Sequence, residues 1–314
     1  MLMKQNAGPL AKVLVVGSSN TDMVVKTERL PAAGETLLGG AFFMNAGGKG
    51  ANQAVAAARL GASVTFIGKT GNDVFGEQTR QLLSKEGIDT RHLLTDPVLP
   101  SGVALITVNA AGENCIVVAS GANGNLMPED MPDIRTVLEA CDIVVLQLEI
   151  PLETVIYVAK EASRMGKKVI LNPAPARVLP PGLLPFVFLI TPNETEAQVI
   201  SGIDTAGEEG VLAAARKLAD MGSEHVIITR GGKGALIYSG GVFEWIAPVP
   251  VKAVDTTAAG DVFTGALAVR LAEGSSLLSA ALFAASAAAI SVTRQGALTS
   301  APYREEIAAR DAER

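Results

Sequence analysis

DIVVLQLEIPLETVIYVAKEASRMGKKVILN, residues 142–172, reads as strand, helix, strand in a single pass. Its ends, DIVVLQL and KVILN, are short runs rich in β-branched residues, and LETVIYVAKEASRMG between them has amphipathic helical spacing. The strand pattern recurs in KVLVVG (12–17), SVTFIG (63–68), FVFLIT (186–191) and HVIIT (225–229), and the helical one in GANQAVAAARLG (50–61). Strand and helix alternate in this way when a parallel sheet is covered by helices on both faces. The expected fold is therefore α/β, in three layers around a mostly parallel central sheet.

Two segments break the alternation. Residues 22–45 and 101–120 read as hairpin-like pairs, DMVVKTE with ETLLGGAFF and GVALITV with NCIVVAS, the second turning at Ala110–Glu113. They predict a small antiparallel sheet standing off the main one. The Pro-rich stretch NPAPARVLPPGLLP (172–185) reads as a surface loop rather than a linker, and no internal repeat occurs, so one domain is expected.

With 314 residues, 48% hydrophobic and 18% charged, the chain has the composition of a globular protein with a large core. Aromatics are only 4%, so that core must be built from Ala, Val, Leu and Ile. A net charge of −6 without a basic cluster gives no electrostatic footing for nucleic acid or an acidic membrane surface. MLMKQNAGPLAK lacks the apolar stretch of an export signal, and the longest small-apolar run, AALFAASAAAISV, is well short of the ~20 residues of a membrane span. Cys115 and Cys141 are spaced as free thiols of a reducing compartment, so the expected location is cytoplasmic. With only His92 and His225, a histidine-rich metal site is excluded.

Ligands of open α/β sheets bind beyond the carboxyl ends of the strands. Asn20 and Asp22 follow KVLVVG, Glu149 follows DIVVLQL, Asn172 follows KVIL, Asn193 and Glu196 follow FVFLIT, and Thr229 closes HVIIT. Each alone could be a turn residue; together they line one edge. In VDTTAAGDVFTGA (254–266) Asp261 stands just after Ala258, Ala259 and Gly260, at the start of an Ala- and Leu-rich helical run. Small residues let a ligand approach the backbone, and the free N–H groups of a helix start attract phosphate. A carboxylate beside such a cradle points to phosphoryl transfer, whereas the plainer reading makes Asp261 a helix cap.

Neither GGKG is a Walker motif: at 47–50 Phe43 stands where the first Gly belongs and Gly50 follows Lys49, and at 231–234 Gly234 follows Lys233. No G-x-G-x-x-G occurs, which removes the usual argument for a dinucleotide and disfavours a nicotinamide-dependent oxidoreductase. The glycines at 47–50 fit a tight approach of backbone to a small ligand, or simply a turn into a helix.

DTTAAGD (255–261), taken with NAGGKGANQA (45–54), resembles the pair of signatures of the phosphofructokinase-B-type sugar kinases. The likeness runs from the first strand near Lys12 to TRQGALTSAPYREEI (293–307), nearly the whole chain. It implies one catalytic domain over residues 1–314, with segments at about 20–46 and 100–120 forming a lid over the sugar that also serves as a homodimer interface. The implied reaction is ATP-dependent phosphorylation of D-ribose at its primary 5-hydroxyl. Asp261 would be the base, and the N–H groups around Ala258, Ala259 and Gly260 the anion hole. Asn20, Asp22, Gly48, Lys49, Asn52, Glu149 and Asp261 would form the sugar shell.

For the nucleotide the resemblance implies Asn193, Glu196, the turn Thr229, Arg230, Gly231, Gly232, Lys233, Gly234, and Gly260 with Asp261, Glu196 lying near magnesium. Read alone, Asn193 and Glu196 also fit a helix cap and 229–234 a hairpin turn. A potassium activator is implied at Asp255, Thr257, Ser291, Arg294, Gly296 and Ser300; the plainer reading has Asp255 and Arg294 staple two loops. Two departures stand out. Ala258 replaces a Gly common in the family, and Ala285 cannot pack on adenine as a polar or aromatic side chain near that position often does. Other sugars or nucleosides (deoxyribose, fructose, adenosine) remain alternatives, as does a non-catalytic sugar sensor on the same fold.

Overall fold

The computed structural model describes residues 10–312. Residues 1–9, within the segment read as lacking an export signal, and residues 313–314 lie outside the described residues. In chain order the strands are β1 (Lys12–Val16), β2 (Asn20–Lys26), β3 (Phe42–Gly47), β4 (Ser63–Gly71), β5 (Leu93–Asp96), β6 (Gly102–Val108), β7 (Asn114–Ala119), β8 (Ile143–Leu146), β9 (Lys168–Leu171), β10 (Leu189–Ile190), β11 (His225–Thr229), β12 (Ala235–Ser239) and β13 (Val242–Ile246). The helices are α1 (Lys49–Arg59), α2 (Val74–Lys85), α3 (Ile134–Glu139), α4 (Leu152–Arg164), α5 (Glu194–Ser201), α6 (Glu208–Asp220), α7 (Ala259–Ala272), α8 (Leu277–Ser291) and α9 (Arg304–Ala312).

The described residues form a nine-stranded sheet in the order β13-β12-β11-β10-β9-β8-β1-β4-β5, parallel from β11 to β5, with β12 and β13 added antiparallel. Alternation along a strand sends successive side chains to opposite faces, and in β1 both faces are apolar. Val13 and Val15 enter a core with α1, α7 and α8, while Leu14 and Val16 enter a second core with α3, α4, α5 and α6. This two-sided burial is what the continuous apolar strand runs predict. In α4, Val155, Val158, Ala159 and Ala162 form the buried stripe, and Gly166, in the left-handed region at φ 70°, closes the turn after it.

The second sheet has the order β3-β2-β6-β7. Both of its outer pairs are antiparallel, but the central pair, β2 with β6, is parallel. The hairpin partner of β2 also differs from expectation. Only the last two residues of ETLLGGAFF, Phe42 and Phe43, are in the strand; residues 35–41 carry no strand and Leu38 is 99% exposed. The strand is Phe42–Gly47, in register so that Asn45 faces Asp22 and Gly47 faces Asn20. That register carries NAGG directly into α1. The Pro-rich loop is not wholly superficial either, since Leu179, Leu183 and Leu184 enter the second core.

Both α7 and α8 are apolar nearly all round because they are buried on most sides. The crossing of α1 and α7 is close at Gly265, where an added Cβ would stand 2.7 Å from the Gln53 carbonyl oxygen and 2.8 Å from the Ala56 methyl. No helix among the described residues is long and apolar enough to cross a membrane. Gly265→Ala should force the two helices apart and lower the unfolding free energy by about 1–3 kcal/mol, the usual cost of overpacking. An unchanged urea midpoint would contradict this packing.

Candidate active site

The site is built where the carboxyl ends of the parallel strands meet the starts of α1 and α7. Helix α7 is headed by Ala258, its cap residue, which has φ 60° and is the one non-glycine among the described residues in the left-handed region. Such a residue costs about 1 kcal/mol or more. The turn leaves the N–H groups of Gly260 and Asp261 without main-chain acceptors at the head of the helix. Asp261 is not the cap. It lies in the first turn with its side chain directed inward and 5% exposed, accepting from Asn52 Nδ2 at 2.9 Å and from Gln53 Nε2 at 2.9 Å.

A cavity of about 160 Å³ opens in front of this helix start, lined by Thr256, Ala258, Ala259, Gly260 and Asp261, by Lys49, and by Asn172, Asn193, Glu196 and Thr229 at or just beyond the strand ends. Lys49, Asn52 and Gln53 are spaced i, i+3, i+4 on α1, which puts them on one face. Asn193 and Glu196 form a capping box at the start of α5, each side chain accepting the other's backbone N–H at 2.8 Å. The cap reading is thus correct for both, and it directs the Glu196 carboxylate into the cavity wall.

Beside the cavity the small sheet contributes Asn20 and Asp22, 5% and 9% exposed. Asn20 Oδ1 accepts from Asn123 Nδ2 at 2.8 Å, which orients its amide and leaves Nδ2 as a donor. Glu149 Oε2 accepts from Ser18 Oγ at 2.5 Å and from the Lys49 backbone N–H at 3.0 Å. The glycines between these groups have steric reasons. Gly48 has φ 88°, and a Cβ there would meet the backbone of Ser19 and Asn20 at 2.7 Å; at Gly47 it would strike the Asp22 carboxylate at 2.2 Å.

Four carboxyls surround one ammonium. Burial, reinforced by Glu149 and Asp261, raises Asp22 from 3.8 to about 7. Burial also raises Asp261 and Glu196, against the pull of Lys49 and their hydrogen bonds. Burial alone would lower Lys49, but Asp261, Glu149, Glu196 and Asp22 outweigh it and hold the ammonium charged.

The turn after β11 is the expected hairpin, but only Thr229 of its residues lines the cavity. Gly231, Gly232 and Lys233 are exposed. The Arg230 guanidinium donates to Glu194 at 2.9 Å and lies over the Trp245 ring, so its charge is already paired, and its backbone N–H and carbonyl are bonded within the turn to Gly234 O and Lys233 N. Ala285 lies along a separate groove with Val249, Leu282 and Ser286, with only a methyl group to present.

The loops proposed for potassium do adjoin. Asp255 accepts from Thr257 N at 2.9 Å, from its Oγ1 at 2.6 Å and from Gly296 N at 2.9 Å. Asp255 is therefore a staple, but Arg294 is not its partner; Arg294 pairs with Glu306. The main-chain carbonyls of Asp255, Thr257, Arg294, Gly296 and Ser300 accept no hydrogen bond among the described residues, a donor set that suits a large cation. The Ser291 hydroxyl donates to Ala288 O and that of Ser300 to Ala297 O. For a small divalent ion, no three or more His, Cys, Asp or Glu among the described residues are grouped so that they could hold a metal by themselves. Glu196 on the cavity wall fits magnesium held mainly by water and phosphates.

The sequence reading did not single out Ser18, Gln53, Asn123 or Gln147. Gln53 was discoverable, one helical turn beyond Lys49. Asn123 was not, because only the chain path brings it onto Asn20.

A buried carboxylate beside free N–H groups at a helix start, opening on a polar cavity, has the features of a phosphotransferase site. The pfkB family carbohydrate kinase profile matches residues 10–304, and the chain belongs to that family. It is 44% identical over 292 residues to a ribokinase of Haemophilus influenzae, covering 93% of this chain and 95% of that one. It is 39% identical over 295 residues to a deoxyribokinase of Salmonella typhi, covering 94% and 96%. Among solved structures, the Arabidopsis thaliana ribokinase complexed with ribose and ATP superposes with a TM-score of 0.90 at 34% identity, covering 96% of this chain and 98% of that one.

The raised Asp22 has a measurable consequence. Between 3.8 and about 7 the folded chain holds a proton that the unfolded chain has released, so this group's contribution to stability is present at low pH and lost as pH rises through that window. Asp22→Asn should flatten the pH dependence of unfolding there by an amount on the order of a few kcal/mol. Parallel curves for the two proteins would contradict the shift.

Proposed function

We propose that this carbohydrate kinase transfers the γ-phosphoryl group of Mg–ATP to the primary 5-hydroxyl of D-ribose. The observation that carries the reading is Asp261: a carboxylate held inward at the head of α7, beside N–H groups without acceptors and the Lys49 ammonium. Phosphoryl transfer needs positioning and charge stabilisation more than a strong base. In this reading Asp261 accepts the hydroxyl proton, while the N–H groups at Ala258–Asp261 and Lys49 hold the charge developing on the transferred group. Magnesium would neutralise phosphate charge when bound, and Glu196 and Asn193 would hold it, partly through water. Thr229 and the backbone of Arg230–Gly234 border the nucleotide.

Asn20, Asp22, Gly48, Lys49, Asn52 and Glu149 make up the proposed sugar shell, a mixture of donors and acceptors that matches several hydroxyls. A pocket of this kind rejects an analogue whose missing hydroxyl leaves a buried group unpaired. The oriented Asn20 amide, with Nδ2 as a donor, favours ribose over 2-deoxyribose. The chain's similarity to both a ribokinase and a deoxyribokinase makes that sugar the principal alternative.

The small sheet is proposed as a lid and a homodimer interface. Phe42, Met44, Leu105 and Val117 are all at least 49% exposed, and pairing places them on one face. Such a face is normally covered. Two free cysteines, Cys115 and Cys141, support a cytoplasmic location.

Asp261→Asn should lower ribose-dependent ADP release by several orders of magnitude while leaving ribose affinity within a few fold; near-normal turnover removes Asp261 from the role of base. Exchange of sodium for potassium should raise turnover several-fold, through the carbonyls of the 255–257 and 294–300 loops, and indifference counts against that site. Light scattering at micromolar concentration should give twice the chain mass, and a monomer ends the lid-pairing proposal.

A further inference from the structure

We infer that Gln53, supported by Gln147, is a positioning residue that fixes the orientation of the Asp261 carboxylate relative to the carboxyl ends of β8 and β9. The inference rests on the reading of Asp261 as the base. Gln53 is fully buried, 0% exposed, and every polar atom of its side chain is engaged. Its Nε2 donates to Asp261 Oδ1 at 2.9 Å and to Asn172 Oδ1 at 3.1 Å, and its Oε1 accepts from Gln147 Nε2 at 2.7 Å.

The direction of these bonds is not interchangeable. An ionised carboxylate only accepts, so it forces the Gln53 nitrogen toward itself. The Gln53 oxygen must then face Gln147, which turns its own nitrogen inward and leaves its Oε1 without a partner. Reversing either amide would set oxygen against oxygen. Asn172 is fixed in the same sense because its Nδ2 donates to Thr191 O at 3.1 Å. The amide chain is thus polarised by the charge on Asp261.

Its anchors are rigid. Gln147 directly follows β8 and Asn172 directly follows β9, whereas Asp261 and Gln53 come from helices α7 and α1. The network therefore ties the carboxylate to the central sheet, independently of the helix that carries it. Asn52 holds Oδ2 while Gln53 holds Oδ1, so rotation of the carboxylate would break two bonds at once. The unused lone pairs are left for the cavity that Asp261 lines. A group serving only to join α1 to the sheet would need no bond to Asp261 at all.

Gln53→Met keeps most of the volume and removes both donors; Gln147→Met removes the support behind it. In single-turnover measurements with Mg–ATP and D-ribose, Gln53→Met should slow transfer about 10- to 100-fold, the worth of a hydrogen bond to a charged group. The ribose dissociation constant should stay within about threefold, as for loss of an interaction that acts on the chemical step. The acid limb of the rate profile should move to higher pH, because the ionised carboxylate has lost a donor. Gln147→Met should produce a smaller change in the same direction. On an Asp261→Asn background, Gln53→Met should cause no further loss. An unchanged transfer rate in Gln53→Met, or a slower one with an unmoved acid limb, overturns the inference. If Gln53→Met does not fold, the same two readouts in Gln147→Met decide it. Retained turnover in Asp261→Asn alone would instead sink the reading of the base, a separate failure.

Discussion

An ionisable carboxyl that is 5% exposed must be supplied with donors or opposite charge, or it returns to its neutral form. At Asp261 the donors come from α1, the charge from Lys49 on the same helix, and the anchor from two strand ends of the central sheet. Much of the surrounding architecture follows. Helix α1 must approach α7 closely, which Gly265 allows, and it must start where β3 ends, which the Gly47–Gly50 turn allows. The left-handed residue at Ala258 belongs to the same requirement, since it heads α7 with free N–H groups instead of a side-chain cap.

Concentrating Asp22, Glu149, Glu196 and Asp261 around one lysine costs the unliganded protein electrostatic stability. Burial first, and neighbouring carboxyls second, raise three of these groups. Such conflict is typical of functional sites, where local stability gives way to charge arranged for a ligand. The small sheet takes part, because Asn20 and Asp22 lie in β2 itself, held by the register with β3. A polar wall of the candidate site and an exposed apolar face are thereby built on one set of strands.

Legibility differed by element for physical reasons. Strands buried on both faces, such as β1 and β8, were plain because their residues are apolar without interruption. The small sheet was harder: most of ETLLGGAFF lies outside the strand, which takes only its Phe42 and Phe43 and then runs on to the polar Asn45 opposite Asp22. A parallel β2–β6 pairing has no local signal, since its strands are separated by more than seventy residues. In the site, residues lying within or beside the two glycine-containing motifs could be read directly. Asn123 and Gln147 could not, because their importance lies wholly in what they touch.

By itself the sequence determined the three-layer α/β class, the gathering of polar residues at the carboxyl edge of the sheet, and the pairing of an acid with a helix start, because each is set by local periodicity or by adjacent residues. Only the tertiary structure decided that Asp261 turns inward rather than capping its helix, that Arg230 is held by Glu194 and Arg294 by Glu306, and that Gln53 joins the Asp261 carboxylate to the sheet. Those outcomes depend on which polar partners meet in space, and hydrogen bonds between residues 208 positions apart, as for Gln53 and Asp261, have no imprint in local pattern.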